Sequence, residues 1–321
     1  MRRARGLAAV TALAGAVTAA GCGLGAGPSS KGTATVTVTR DYGARQMVDA
    51  SESDPSASET VLRFLDRSAP ITTRYGGGFV QSIDGLAGAE DGGRRYDWFF
   101  YVNGIESPIG ATDVTVHGGD RVWWDYRDWT AAMRVPTVVG SFPQPFVAAA
   151  KAGATVPVDC AGATPPCQSV AGALRDAGVK ARLVDGIRPD DRSPRVLVGT
   201  WDRVGRDAAA AQIDDGPATS GVFARFERTR SGDYALAEFD AAGAVSARTA
   251  PGAGLLAAVR DGDRPPTWLV TGTDASGVER AARLFAPGPL RDRYAVATDG
   301  RAPTALPVIA QGAEPGSGSA P

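Results

Sequence analysis

The chain holds one histidine, His117, in 321 residues, three cysteines, and lysine only at positions 31, 151 and 180. Each scarcity removes a class of function. A His-based triad or a His-rich metal centre would have a single imidazole to draw on, and His117 stands beside Gly118 and Gly119 in a turn-forming stretch. No nucleophile elbow and no zinc-ligand spacing is present. An enzyme is therefore not expected: no catalytic residue and no metal ligand is assigned, and no cofactor is required. Basic and acidic residues nearly cancel, at a formal charge of −1, and no basic patch forms, so nucleic acid is not an expected partner. There is also no apolar run of the roughly 20 residues that a bilayer-spanning helix needs.

What is present begins at the N-terminus. Arg2, Arg3 and Arg5 precede an uncharged, Ala-rich stretch from Gly6 to Ala20, followed by Gly21 and then Cys22. Positive charge, a short apolar core and small residues, in that order, form a signal peptide, here residues 1–21. The cysteine directly after the small residues resembles the lipobox of bacterial lipoproteins. That resemblance implies an acylated Cys22 at the mature N-terminus, membrane lipid as partner, and an extracytoplasmic, lipid-anchored location. Ala19 departs from the leucine more common in such boxes, and an ordinary signal peptide with a chance cysteine is the alternative. Loss of the three arginines would take the charge from −1 to −4. Residues 22–32, rich in glycine, read as a flexible tether. Export leaves Cys160 and Cys167 as a pair, for which a disulfide is the default in an oxidising compartment. Metal binding by the pair is the rival, with no histidine nearby.

The expected fold class is α+β: a β-grasp-like N-terminal domain followed by a separate α/β domain. In the first, residues 33–134, a strand alternates from Thr33 to Thr39 with Ala34, Val36 and Val38 on one face. Val61, Leu62 and Leu65 follow at helical spacing, with Ser58 as candidate cap. Strands are expected over Gly76–Leu86, Tyr96–Val102 and Arg121–Tyr126, with Asn103-Gly104 as a hairpin turn. In the second, residues 135–310, strand and turn at 195–201 and 267–274 each precede a helix, over about 202–213 and 276–285. A hairpin is expected around Ser231-Gly232, and residues 311–321 read as a disordered tail.

Three segments of the first domain carry a family resemblance. Gly78–Leu86 (GFVQSIDGL), Tyr96–Gly104 (YDWFFYVNG), and Gly110-Ala111 followed by His117–Trp123 (HGGDRVW) are similar, in order and spacing, to the transcobalamin-like C-terminal domain family. The resemblance implies a β-grasp-like fold and, because that domain forms one wall of the cobalamin site in transcobalamin and intrinsic factor, a corrinoid ligand. The α-helical barrel that supplies the other wall there has no counterpart in this sequence.

A corrinoid is a large, partly apolar disc rimmed with amides, held by aromatic contact and hydrogen bonds without ionised partners. On that basis the candidate ligand-binding residues are Phe79, Val80, Ser82, Trp98, Tyr101, Trp123, Tyr126 and Trp129. For each, packing in the core or between domains is the alternative. Trp123 and its neighbour Trp124 must face opposite sides of their strand, so one points away from the helix-covered core, toward solvent, the second domain or a ligand. The turns at Gly199-Thr200 and Gly272–Asp274 offer helix N-termini to an anion, with Asp202 or Asp274 acting more simply as N-caps. Asp190-Asp191 and Asp214-Asp215 read as solvated loops. The expected function is capture of cobalamin or another corrinoid at the membrane surface and delivery to a membrane importer. The alternative is an envelope scaffold with no small-molecule ligand.

Overall fold

The structure is a computed structural model that describes residues 28–186 and 192–309. Residues 1–21, Cys22, Asp190-Asp191 and the tail 311–321 lie outside the described residues. The architecture is mixed α+β and mostly sheet. The chain opens with β1 (Thr33–Arg40) and β2 (Arg45–Ser53), then α1 (Val61–Ser68), a small sheet of β3 (Ile71–Arg74), β4 (Phe79–Ile83) and β5 (Leu86–Ala87), and then β6 (Ala89–Asp91), β7 (Arg94–Val102), β8 (Ile105–Glu106) and β9 (Arg121–Asp128). The main sheet has the order β2-β1-β9-β7-β6, with β8 also on β7. β1 pairs antiparallel with β2 and parallel with β9, and α1 lies over one face, as a β-grasp requires.

Local sequence explains these elements. Ala34, Val36 and Val38 alternate with threonines and are fully buried beneath α1, together with Val122, Trp124 and Tyr126 of β9. Val61, Phe64 and Leu65 bury one side of α1, each contributing roughly 2 kcal/mol. Burial of that face, more than propensity, holds a helix of eight residues, too short to be stable alone. Its N-cap is Thr60, whose Oγ1 accepts from the Arg63 N–H at 3.3 Å, and not Ser58, which sits two residues too early. Asn103 and Gly104 both take positive φ, 55° and 78°, the requirement of a tight hairpin turn.

The remainder forms α2 (Phe146–Lys151), β10 (Val156–Asp159), α3 (Thr164–Asp176), β11 (Ala181–Val184), β12 (Arg195–Thr200), the short helices α4 (Trp201–Val204), α5 (Ala208–Ala211) and α6 (Pro217–Ser220), β13 (Ala224–Arg228), β14 (Tyr234–Phe239), β15 (Val245–Thr249), β16 (Gly254–Val259), β17 (Thr267–Gly272), α7 (Ala275–Arg283), α8 (Pro287–Leu290), β18 (Ala295–Thr298) and β19 (Thr304–Leu306). Its seven-stranded sheet runs β11-β10-β12-β17-β16-β18-β19, parallel from β11 to β17 and antiparallel beyond. Val158, Val198, Trp268 and Val270 face the helical layer, while Leu197, Leu255 and Leu269 face the separate sheet β13-β14-β15. Cys160, after β10, and Cys167, in the first turn of α3, form a disulfide. The single helix expected over 202–213 is broken into α4 and α5, because Gly205 ends the first and Asp207 caps the second through the Ala209 and Ala210 amides.

The two halves share a core. Tyr42, Tyr101 and Trp123 of the first pack with Phe223 and Tyr294 of the second, the rings of Trp123 and Tyr294 lying 5.3 Å apart. Asp125 is fully buried among them. It accepts from Tyr294 Oη at 3.0 Å, from the Gly43 amide at 3.1 Å and from the Thr39 hydroxyl, which itself accepts from Trp123 Nε1 at 2.8 Å. Arg127, equally buried, donates to the carbonyls of Ala132 and Met133 and stacks on Phe99.

Burial pushes the Asp125 carboxyl up to about 6, against the opposing pull of its hydrogen bonds to Thr39, Gly43 and Tyr294 and the charge of Arg127. A native carboxyl titrating above its unfolded counterpart contributes stability that is complete below about pH 4 and lost as pH rises through about 6. Urea denaturation at pH 4 and pH 7 should therefore show Asp125→Asn gaining roughly 3 kcal/mol on the native chain between the two conditions. An unchanged difference would contradict this assignment.

Candidate ligand-binding site

The face of the grasp sheet that carries α1 is incompletely covered near the start of β4. There Gly78, Phe79 and Val80 meet Trp98 and Phe100 of β7, the Ser107–Ala111 loop and Trp124 of β9 around a cleft of about 170 Å³. The alternation of β7 and β9 sets this up: Trp98, Phe100 and Trp124 project to the α1 side, while Tyr101 and Trp123 project to the other. Phe100 and Trp124 stack at 4.7 Å, and Trp98 Nε1 donates to the Leu86 carbonyl at 2.8 Å, which fixes that ring.

Phe79 stands between this cleft and a shallower groove of about 390 Å³, whose walls include Arg74, Gln81, Arg95, Tyr96, Asp97 and Trp129. The Arg95 guanidinium lies 3.8 Å over the Trp129 ring. Burial holds the Asp97 carboxyl above its ordinary range, opposed by its hydrogen bond from the Trp98 amide. Two exposed apolar residues line the cleft, Ile109 at 53% and Phe79 at 41%, and Tyr75, 87% exposed, has its ring 6.5 Å from that of Phe79. Tyr75 adopts φ +54°, a left-handed value uncommon for an aromatic residue, ahead of three glycines.

The structure brings together Phe79, Val80 and Trp98 around the cleft, and Phe79 and Trp129 around the groove. Two residues expected at the site lie behind it. Ser82 is buried and shares a 2.6 Å hydrogen bond with Thr72. Tyr126 is buried under the groove wall, stacked on Tyr96, with its hydroxyl donating to the Ala87 carbonyl at 3.0 Å. Tyr101 and Trp123 project from the opposite face of the sheet and are buried between the two halves of the protein. Sequence reasoning missed Ile109 and assigned Trp124 no ligand role. An isoleucine between Pro108 and Gly110, in a stretch of turn-forming residues, was the available signal for the former.

The other candidate features resolve locally. The amides at the start of α7 are served by Asp274, whose Oδ1 accepts from the Gly277 N–H at 2.9 Å and from the Ser276 hydroxyl. That carboxyl is held below its usual range although burial opposes it, by hydrogen bonds led by the Gly277 amide. Asp202 is not a cap: Thr200 holds the N-cap position of α4, and Asp202 lies inside its first turn. Asp214 and Asp215 are exposed in the turn at 212–215, as is His117 in the turn before β9. Among the described residues no three His, Cys, Asp or Glu side chains cluster as a metal site, and no helix is long and apolar enough to cross a membrane.

No curated protein matches the chain. Residues 58–128 match the family described as "Domain of unknown function (DUF4430)", a transcobalamin-like domain family. The match begins just before α1 and ends with β9, so β1 and β2, which complete the grasp sheet, lie outside it. Every residue around the cleft falls inside the matched segment, and Trp129 one position beyond it. The stretch from α1 to β9 is thus a DUF4430 domain of transcobalamin-like type, and the cleft with its apolar rim belongs to it.

Proposed function

We propose that this protein is an extracytoplasmic lipoprotein, anchored through an acylated Cys22, that captures a corrinoid on its transcobalamin-like domain and passes it to a membrane importer. The observation that carries the reading is the pair of exposed apolar side chains, Phe79 and Ile109, that line a cleft in a domain of that type. Two large apolar side chains exposed beside one cleft favour an occupant of partly apolar surface. Among the described residues no lysine or arginine lines the cleft, which suits a ligand that carries no negative charge there. Its volume, about 170 Å³, is close to that of cavities that hold benzene, so a corrin ring would lie across the rim and not within it.

Calorimetry of the protein with cobalamin and with cobinamide tests the reading. Micromolar affinity, equivalent to about −8 kcal/mol, is expected. Phe79→Ala should weaken it by roughly tenfold, the loss of one well-placed aromatic contact, without loss of folding because the ring is 41% exposed. No heat at millimolar ligand would reject corrinoid capture and favour the envelope-scaffold reading, in which the same rim docks a protein. The anchor is tested separately. Cys22→Ser should move the protein out of the membrane fraction or leave it unprocessed, since two acyl chains anchor stably. Mass spectrometry finding an unmodified Cys22 in the native chain would refute the anchor.

A further inference from the structure

Tyr75 is an exposed aromatic residue that the ligand site leaves unused: it lines neither the cleft nor the groove. The chain has seven tyrosines, and the other six are buried or half-buried. Its φ of +54° costs free energy for an aromatic residue, yet the ring it positions stands in solvent and gains nothing by burial there. Two arginines flank this tip. Arg74 precedes Tyr75, and Arg63 follows Leu62, whose Cδ2 lies 3.9 Å from where a Cβ on Gly77 would sit. Arg74 donates to the Gln81 side chain at 2.7 Å and Arg63 to the Ser58 carbonyl at 3.2 Å; among the described residues neither meets a carboxylate. Glu59 and Asp54, close by in the chain, are tied to Arg67 and Lys31 instead, and Asp113, near Gly110, opposes the two cations.

The point where the chain enters the fold decides what this tip can reach. The Pro28 carbonyl accepts from the Ala57 amide at 2.8 Å, and the Ser30 amide donates to the Pro55 carbonyl at 2.8 Å. From Ala57 the chain runs to Leu62, beside the tip, over at most about 18 Å. In the other direction residues 23–27 join Pro28 to Cys22, a reach of about 21 Å at full extension. A bilayer that holds Cys22 therefore lies within reach of Tyr75. We propose that Tyr75, flanked by Arg63 and Arg74, docks on the headgroup layer of an anionic bilayer when the chain is anchored through Cys22. This rests on the anchor reading above and not on the corrinoid, and none of the three residues lines the cleft. A tyrosine has an apolar ring and a polar end, which suits the boundary between headgroup and acyl chain, and guanidinium groups attract anionic headgroups. One aromatic ring and two cations would hold a free protein to a membrane only weakly. A short tether makes the same contact intramolecular, at millimolar effective concentration, so it forms without any further contact.

The test couples residues 22–321 through the Cys22 thiol to a maleimide phospholipid in vesicles, so it is read whether or not a cell acylates Cys22. Cys160 and Cys167, joined in a disulfide, do not react. Hydroxyl-radical footprinting with mass spectrometry then compares Tyr75 with Met133, which is 66% exposed and whose carbonyl is held by Arg127 toward the other end of β9. On vesicles rich in phosphatidylglycerol, oxidation of Tyr75 relative to Met133 is expected to fall about fivefold from its value in the same chain capped with a soluble maleimide, as for a contact occupied most of the time. Vesicles of phosphatidylcholine alone, or Arg63→Gln with Arg74→Gln, should restore most of the oxidation. Equal oxidation on vesicles and in solution would overturn the docking and leave the anchor reading standing, with the tip then free for a protein. Protection that survives both phosphatidylcholine and the double variant would overturn the selection for anionic lipid. Protection in the coupled chain, alongside an unmodified Cys22 in the native protein, would support the docking surface and defeat the anchor reading.

Discussion

Gly277→Ala is expected to destabilise the protein by about 2 kcal/mol or more, although alanine is the better helix former by up to ~1 kcal/mol. Gly277 sits in the first turn of α7, where that helix presses on the strands beneath it. A Cβ there would lie 2.1 Å from the Ala253 carbonyl oxygen and 2.7 Å from the Ala253 carbonyl carbon, both rigid backbone. Gly254 and Gly272 complete the same close approach, since a Cβ on either would meet the Gly277 backbone at 2.3 Å and 2.6 Å respectively. The helix would have to retreat by about an ångström, which forfeits contact along the Val278 and Ala281 face. Gly172, inside α3, is the control: its Cβ would meet nothing within 4 Å, so Gly172→Ala should be neutral or stabilising by up to ~1 kcal/mol. Urea denaturation of the two variants measures the contrast. Equal effects would show that propensity, and not the helix–sheet contact, governs position 277.

Trp123→Ala should cost roughly 3–5 kcal/mol, the range for removing a large buried aromatic side chain. The ring is 3% exposed, packs at 5.6 Å on Tyr101 and 5.3 Å on Tyr294, and donates to Thr39. Its loss empties the seam between the halves and strips a hydrogen bond from the group that orients Asp125. The same seam bears on the segment 33–134 by itself: cut at that boundary, Tyr42, Tyr101, Trp123, Asp125 and Arg127 would lose their cover. The isolated segment should therefore bind a hydrophobic dye and associate, in contrast to the whole chain. Denaturation of Trp123→Ala checks the first statement, and dye binding by the isolated segment the second. A loss below about 1 kcal/mol would mean that the seam contributes little.

The grasp sheet was legible because its signals are local. Alternation from Thr33 to Thr39, the Asn103-Gly104 turn and the aromatic strand at Tyr96–Val102 each specify one element from a few consecutive residues. The Cys160–Cys167 disulfide was legible on another ground, as the one pair left by the cysteine count. The positions of the candidate ligand residues were not. Phe79, Val80, Trp98 and Trp129 reach the cleft or groove, whereas Ser82, Tyr101, Trp123 and Tyr126 are buried elsewhere. An aromatic residue carries the same composition signal whether it lines a ligand site, a core or a seam.

By itself, then, the sequence determined the element order of the grasp domain and the alternation that sends Trp123 and Trp124 to opposite faces, both of which depend on neighbours in the chain. Which of the two tryptophan faces meets solvent was decided only in three dimensions. The second half of the chain, through Phe223 and Tyr294, covers the Trp123 side and leaves the cleft side open. The physical reason is that alternation assigns a residue to a face, while burial of that face depends on what packs against it, here residues of the second half that lie far along the chain.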